Sequence, residues 1–424
     1  MTWTPPHAVS RYPRRHLGAG PRPSLRFLAV LSVVVALAGC AGDTEQPVDE
    51  APGGSAIVDG PEAGATLDGE SAEDPAEVRE AGFGQRQPAP GAIHARLDSN
   101  EVIRALYVNR WAAQSRNRML SLVGMVDSSV VNAFVIDMKD EFGLNFESSD
   151  STIQRTAGSS GRIRWLAEML DTLRANSIMP IARVVVFKDS VASRLNPDET
   201  IRTPEGDVWR DENGVAWLSP YSSYAREYNI RVAEEIVRLG FEEVQFDYVR
   251  FPEPYQRLAT QVFPGSDGVS KPDAIAEFLG AARERLNALG VRSTAAVFGL
   301  TTTVNGPLEI GQHWEKLVPV ADVLLPMVYP SHYPGGSFGI ARPNAEPYEI
   351  VKSAITRARE RTEALGFGGH RVRPYLQAFT LGQPPYGAEE VAAQIRAVED
   401  SGYQGWVLWH PGSRYGAYFE AIRK

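Results

Sequence analysis

The stretch FDYVRFP, residues 246–252, has the composition of a core β-strand interrupted by charge. Phe246, Tyr248, Val249 and Phe251 suit a pleated, buried surface. Asp247 and Arg250 are costly to remove from water unless paired. Pro252 cannot donate to a ladder and ends the run. Side chains alternate across a strand, so Val244, Phe246 and Tyr248 share one face and Gln245, Asp247 and Val249 the other. The apolar set suits a helix layer, which turns Asp247 inward at the carboxyl end of the strand.

Seven further apolar, β-rich runs surround this one: 102–109, 132–139, 178–187, 292–299, 322–329, 372–379 and 405–410, with the central strand read as 243–251. Amphipathic helical stretches fit between them, for example 162–176, 224–240 and 389–402, with Gly240, Gly290 and Gly402 at helix stops. Eight strand–helix units predict a (β/α)8 TIM barrel. A doubly wound sheet is disfavoured, because YVNRWAAQS (107–115) stands where a glycine-rich phosphate turn would follow the first strand.

In a barrel the chemistry collects at the carboxyl ends of the strands. Strand two divides like strand four, with Phe134, Ile136 and Met138 toward the helices and Val135, Asp137 and Lys139 inward. Asp137 and Asp247 then flank strand three from strands lying roughly 10 Å apart at the backbone. Paired carboxylates about 5–9.5 Å apart are what glycoside hydrolysis requires, so both are expected to be catalytic. Asp140 and Glu253 read as loop acids at the same rim, each a candidate for the second carboxylate. Arg183, Lys188 and Arg250 can orient these acids or bind an acidic substituent. The bland alternative is a structural ion-pair network.

The loops after strands three (188–222) and six (329–348) are long and carry Trp209, Trp217, Tyr221, Tyr329, His332, Tyr333 and Phe338. Loops of that length are usually functional, and their aromatics offer apolar platforms to sugar faces. Trp409 and His410 end strand eight. The expected substrate-binding set is Lys139, Arg183, Lys188, Arg250, Trp217, Tyr329, His332, Gln377, Trp409 and His410. Seven histidines without metal-ligand spacing, and the lack of a G-x-S-x-G elbow or P-loop, predict neither metal nor cofactor.

Residues 1–39 read as a lipoprotein signal peptide. Arg11, Arg14, Arg15, Arg22 and Arg26 precede the apolar run FLAVLSVVVALAGC (27–40), which is short for a membrane span. LAGC (37–40) resembles a bacterial lipobox, with Cys40, the single cysteine, at the lipidation position. Residues 40–95 read as a disordered tether rich in Gly, Pro and acids. Setting the acidic run 43–80 apart leaves the remainder of the chain near neutral, which argues against a nucleic-acid footprint. An exported, membrane-anchored monomer of the cell envelope, acting on a polysaccharide or oligosaccharide, is expected.

Seven blocks carry a resemblance: VIDMKDEFG (135–143), PIARVVVFKD (180–189), VWRDENGVAWLSPYS (208–222), EVQFDYVRFP (243–252), VFGLTT (297–302), IGQHWEKLVPVADVLLPMVYPSHY (310–333) and NAEPYEIV (344–351). Together they resemble the glycoside hydrolase family of bacterial barrel proteins marked by QFDYVRFP, over residues 100–420. The resemblance implies a (β/α)8 barrel, acidic site positions at Asp137 and Asp247, and a strand-six motif at Met327, Tyr329 and His332. One departure is visible: the family's last strand commonly reads LLWN, whereas VLWH puts His410 in place of an amide. A barrel that binds glycan without cleaving it is the alternative reading.

Overall fold

The computed structural model describes residues 101–424; the basic leader, Cys40 and the acidic tether lie outside the described residues. Eight strands form the barrel: β1 (Arg104–Val108), β2 (Ala133–Asp140), β3 (Met179–Val185), β4 (Glu243–Asp247), β5 (Arg292–Phe298), β6 (Val323–Met327), β7 (Tyr375–Gln377) and β8 (Trp406–Trp409). Each pairs in parallel with the next, and β8 returns to β1 through Ala105 opposite Val407, closing the cylinder. The two-residue strand Gly143–Leu144 folds back antiparallel on the end of β2.

Helices cover the outside: α1 (Arg116–Val126), α2 (Leu166–Ala175), α3 (Ser223–Leu239), α4 (Lys271–Ala288), α5 (Pro347–Ala364) and α6 (Ala388–Asp400). The unit after β5 keeps the 3-10 segment Gly299–Thr302 and the single α-turn Trp314–Leu317, and β8 is followed by the 3-10 segment Gly416–Ala421. Local signals set the helix ends. Ser222 caps α3 by accepting from Ala225 N, and Gly240 stops it at φ 112°, a conformation that favours glycine.

Alternation sorts the strand residues into two cores. Phe134, Ile136, Val244 and Phe246 pack outward under the helices. Ala105, Ala133, Val135, Ile181, Ala296, Leu325 and Val407 fill the barrel, as small and branched side chains must where eight strands converge. Two expectations fail at strand ends. β4 stops at Asp247 because Tyr248 takes φ +49°, a left-handed conformation costly for a bulky residue. The face parity breaks there, and Val249 joins the outer core instead of following Asp247 inward. β2 carries a register shift between Asp137 and Lys139, and the extra residue of such a bulge re-aims the side chains beyond it.

Candidate active site

Asp137 and Asp247 are both turned into the carboxyl-terminal mouth, and one side chain joins them. Arg183, opposite Asp137 in the ladder, donates from Nη1 to Asp137 Oδ1 at 2.6 Å and from Nε and Nη2 to Asp247 Oδ2 at 2.8 and 2.7 Å. One planar guanidinium spans the two carboxylates, so their nearest oxygens lie within about 7–8 Å. Burial works against the charge on Arg183, and the two carboxylates overcome it and raise its pKa.

The remaining oxygens are also engaged. Tyr107 donates its hydroxyl to Asp137 Oδ2 at 2.6 Å, and the backbone N–H of Tyr248 donates to Asp247 Oδ1 at 2.7 Å. The left-handed turn at Tyr248 thus brings an N–H onto the carboxylate beside it. Such charge-assisted bonds are stronger than neutral ones. Two anions and one cation leave the cluster with a net negative charge.

Aromatic rings wall one side of the mouth. Tyr107 stacks on Trp409 at 5.8 Å, Trp409 on Tyr329 at 5.7 Å, and Phe379 meets Trp409 edge-on at 5.2 Å. Arg183 lies 5.5 Å from the centre of the Tyr107 ring, so the wall adjoins the charged cluster. His332 stands edge-on to Tyr329, and burial lowers its pKa to about 4, leaving a neutral imidazole. Below, the Tyr375 hydroxyl donates to Gln245 Oε1 at 2.8 Å and closes the floor. Among the described residues no group of three or more His, Cys, Asp or Glu side chains converges as a metal set.

Of the residues expected to bind substrate, Arg183, Tyr329, His332 and Trp409 gather here. The others do different work. Lys139, expected inward, leaves the bulge toward the helix layer, fully buried against Asp189 at 2.8 Å and over the Tyr228 ring. Gln377 is buried, with its Oε1 accepting from Ser331 N and its Nε2 donating to Phe379 O. His410 follows inward-facing Trp409 and so faces outward, packing on Tyr415 and Tyr418 and accepting from Gly412 N.

Trp217, expected as an exposed platform, is buried and donates from Nε1 to Asp211 Oδ2. Lys188 is buried 3.3 Å from the same carboxylate and over the Tyr248 ring. Arg250 is boxed by Trp217, Tyr248 and Phe298 at 5.1, 5.0 and 4.8 Å and pinned by Glu253 at 2.8 Å. This cluster holds Tyr248 in its strained turn and seats the long loop after β3. Asp140, expected as an exposed acid, is buried against Arg110 at 2.8 Å.

Tyr107 and Tyr375 are site residues that sequence reasoning misses. Alternation from Ala105 places Tyr107 inward, but phenols on core strands ordinarily read as packing.

Residues 105–415 match the family model described as "Putative glycosyl hydrolase domain". A hypothetical protein from Ruminiclostridium thermocellum ATCC 27405 is 34% identical over 43% of this chain and 92% of its own, with a TM-score of 0.39. The glycoside hydrolase domain of PgaB (BpsB) from Bordetella bronchiseptica is 14% identical over 76% of this chain and 98% of its own, with a TM-score of 0.54. Alpha-L-fucosidase isoenzyme 2 from Paenibacillus thiaminolyticus is 13% identical over 76% of this chain and 48% of its own, with a TM-score of 0.52. At such identities the last two are alike in fold alone. No curated protein matches the chain.

Proposed function

The chain belongs to the family described as "Putative glycosyl hydrolase domain", and from that premise we propose that it is a glycosidase acting on a cell-envelope or extracellular polysaccharide. The observation that carries this reading is the pair Asp137–Asp247 held by Arg183 at the barrel mouth beside the Tyr107–Trp409–Tyr329 wall. An oxocarbenium-like transition state gains from a nearby net negative charge, and two carboxylates bridged by one guanidinium lie inside the upper limit of the separation glycosidases use, about 9.5 Å. Asp247 faces the anomeric carbon, as nucleophile or as base toward water. Asp137, bonded to Tyr107 and Arg183, completes the carboxylate pair and holds Arg183 in place. Aromatic faces stacked along one wall suit the apolar face of a sugar ring.

The same proposal places the protein at the membrane, exported and lipidated on Cys40 of LAGC (37–40), with the acidic segment after it as a tether. One observation favours a second reading, a barrel that binds glycan without cleaving it. All four oxygens of Asp137 and Asp247 already accept hydrogen bonds, as in a structural network.

A single experiment separates the two. The full chain is incubated with a panel of bacterial envelope polysaccharides, and release of reducing ends is followed with Asp247→Asn as control. The glycosidase reading expects release from at least one polymer, a loss of at least about a hundredfold in the variant, and a nearly unchanged thermal melt. Binding without release, equal in both proteins, would establish the second reading.

A further inference from the structure

A charge carried by a bound sugar must find its opposite inside the mouth, because an ion taken from water without a partner is costly. Among the described residues the buried cations are Arg110, Lys139, Arg183, Lys188, Arg250 and Arg373. Five of them are each taken up by an acid of the chain. Arg110 meets Asp140 at 2.8 Å, Lys139 meets Asp189 at 2.8 Å, and Lys188 meets Asp211 at 3.3 Å. Arg250 meets Glu253 at 2.8 Å, and Arg373 meets Glu243 at 2.7 Å. Arg183 is the one that joins the carboxylate pair, and it already faces two acids, Asp137 and Asp247, through Nε, Nη1 and Nη2. An anionic group on the substrate would be the third on a single guanidinium.

The other side of the mouth adds no compensating charge. Its wall consists of the uncharged rings of Tyr107, Trp409, Tyr329 and Phe379, with Met327 packed on the same apolar group. His332, edge-on to Tyr329, is neutral near pH 7, since burial lowers its pKa to about 4. Arg342 and Arg414, on the loops after β6 and β8, are exposed, where water and salt weaken their pull. The cations that could have received an acidic substituent are therefore turned away, paired or screened.

We infer that the sugar held in this mouth carries no negative charge: neutral and amino sugars are accepted, and uronic acids, sulfated sugars and phosphorylated sugars are rejected. The inference rests on the glycosidase reading in taking the mouth as the place where the sugar sits. At an approach of about 5 Å and an effective dielectric of about 20, one unit of like charge costs about a hundredfold in binding. An ammonium on the sugar is attracted by the same balance. Rejection by an unmatched charge is a direct means of specificity.

The test uses the full chain and matched sets of 4-nitrophenyl glycosides. Each set holds a hexoside, its 2-amino-2-deoxy counterpart and its uronide, in the gluco and galacto series and in both anomers. In any series that is hydrolysed, the hexoside or the amino sugar is expected to exceed the uronide by at least about a hundredfold. A parallel calorimetric titration compares neutral cello-oligosaccharides, chitosan oligosaccharides and oligogalacturonates. Asp247→Asn brings the cluster to neutrality and is expected to narrow the discrimination in binding at least about tenfold, at a nearly unchanged melt. Uronides cleaved or bound as well as the neutral sugars would overturn the inference and leave the glycosidase reading standing. An unchanged ratio in Asp247→Asn would assign the selection to shape and overturn it as well. Binding of neutral or amino sugars with no hydrolysis of any substrate would sink the glycosidase reading while the charge selection stands. Neither binding nor hydrolysis of any member would remove the mouth as a sugar site, and this inference with it.

Discussion

Arg183 sets the charge balance of the mouth. It is one cation between two nearly buried anions, with side-chain exposures of 10% for Arg183, 6% for Asp137 and 13% for Asp247. Taking such groups from water is costly, and breaking a buried pair leaves the surviving charge uncompensated. Arg183→Met strands both carboxylates and is expected to destabilise by about 3–5 kcal/mol, read as a lowered urea midpoint at constant m-value. Asp247→Asn leaves the Asp137–Arg183 bond intact and is expected to shift the midpoint much less. A larger effect for Asp247→Asn would mean that Arg183 is held chiefly by Asp247. Tyr248 is the other residue under tension; its left-handed backbone costs on the order of 1–3 kcal/mol, offset by the rings and cations packed around it.

Among the elements, the loops after β6 and β8 hold groups that respond to pH. His332, in the segment after β6, and His410, after β8, both have pKa values lowered to about 4, His332 by burial and His410 by burial first and then Arg414 and Arg118. The unfolded chain binds these protons with a pKa near 6.5, so it holds more of them between about pH 6.5 and 4. Stability therefore rises with pH across that window; the contribution is full above about 6.5 and is lost as pH falls toward 4. Thermal melts are expected to drop over that interval, and His332→Gln with His410→Gln to flatten the drop. An unchanged profile in the double variant would show that other groups control acid unfolding.

The strands divide into a legible middle and less legible ends. Seven of the eight lie within the segments expected from alternation and β2 overruns its own by one residue, to Asp140, because a chain that feeds a closed barrel must place apolar residues on both faces. The ends differ. The pattern carries β4 to residue 251, yet it stops at Asp247; it carries β7 over 372–379, yet only Tyr375–Gln377 remain. A left-handed residue and a bulge are decided by what packs on them, and periodicity carries no trace of either.

Across the whole molecule, the barrel is pinned near its amino-terminal end by a second ion pair. Arg373, just before β7, reaches Glu243 on β4 with bonds of 2.7 and 3.1 Å, both side chains buried. The site at the other end does not use this pair, so its role is closure of the cylinder. Arg373→Met alone is expected to cost about 3–5 kcal/mol, whereas Arg373→Met with Glu243→Met is expected to recover most of it, since hydrophobic replacement of a buried pair is often neutral. Urea melts of the two variants check this. No recovery in the double variant would mean that the pair specifies the packing rather than only neutralising itself.

Fold class and the inward turn of Asp137 and Asp247 were determined by the sequence alone. Both follow from period-two alternation and from the cost of leaving a carboxylate among apolar side chains, and these are local properties of each segment. Which cation joins the acids was decided only by the tertiary structure. Arg183, Lys188 and Arg250 look alike in the chain, yet the first bridges the two carboxylates while the others are buried among rings and loop acids. FDYVRFP shows the division within seven residues. Asp247 lies where alternation puts it, and Arg250, three positions on, lies behind the site, because the left-handed turn at Tyr248 reverses the parity between them.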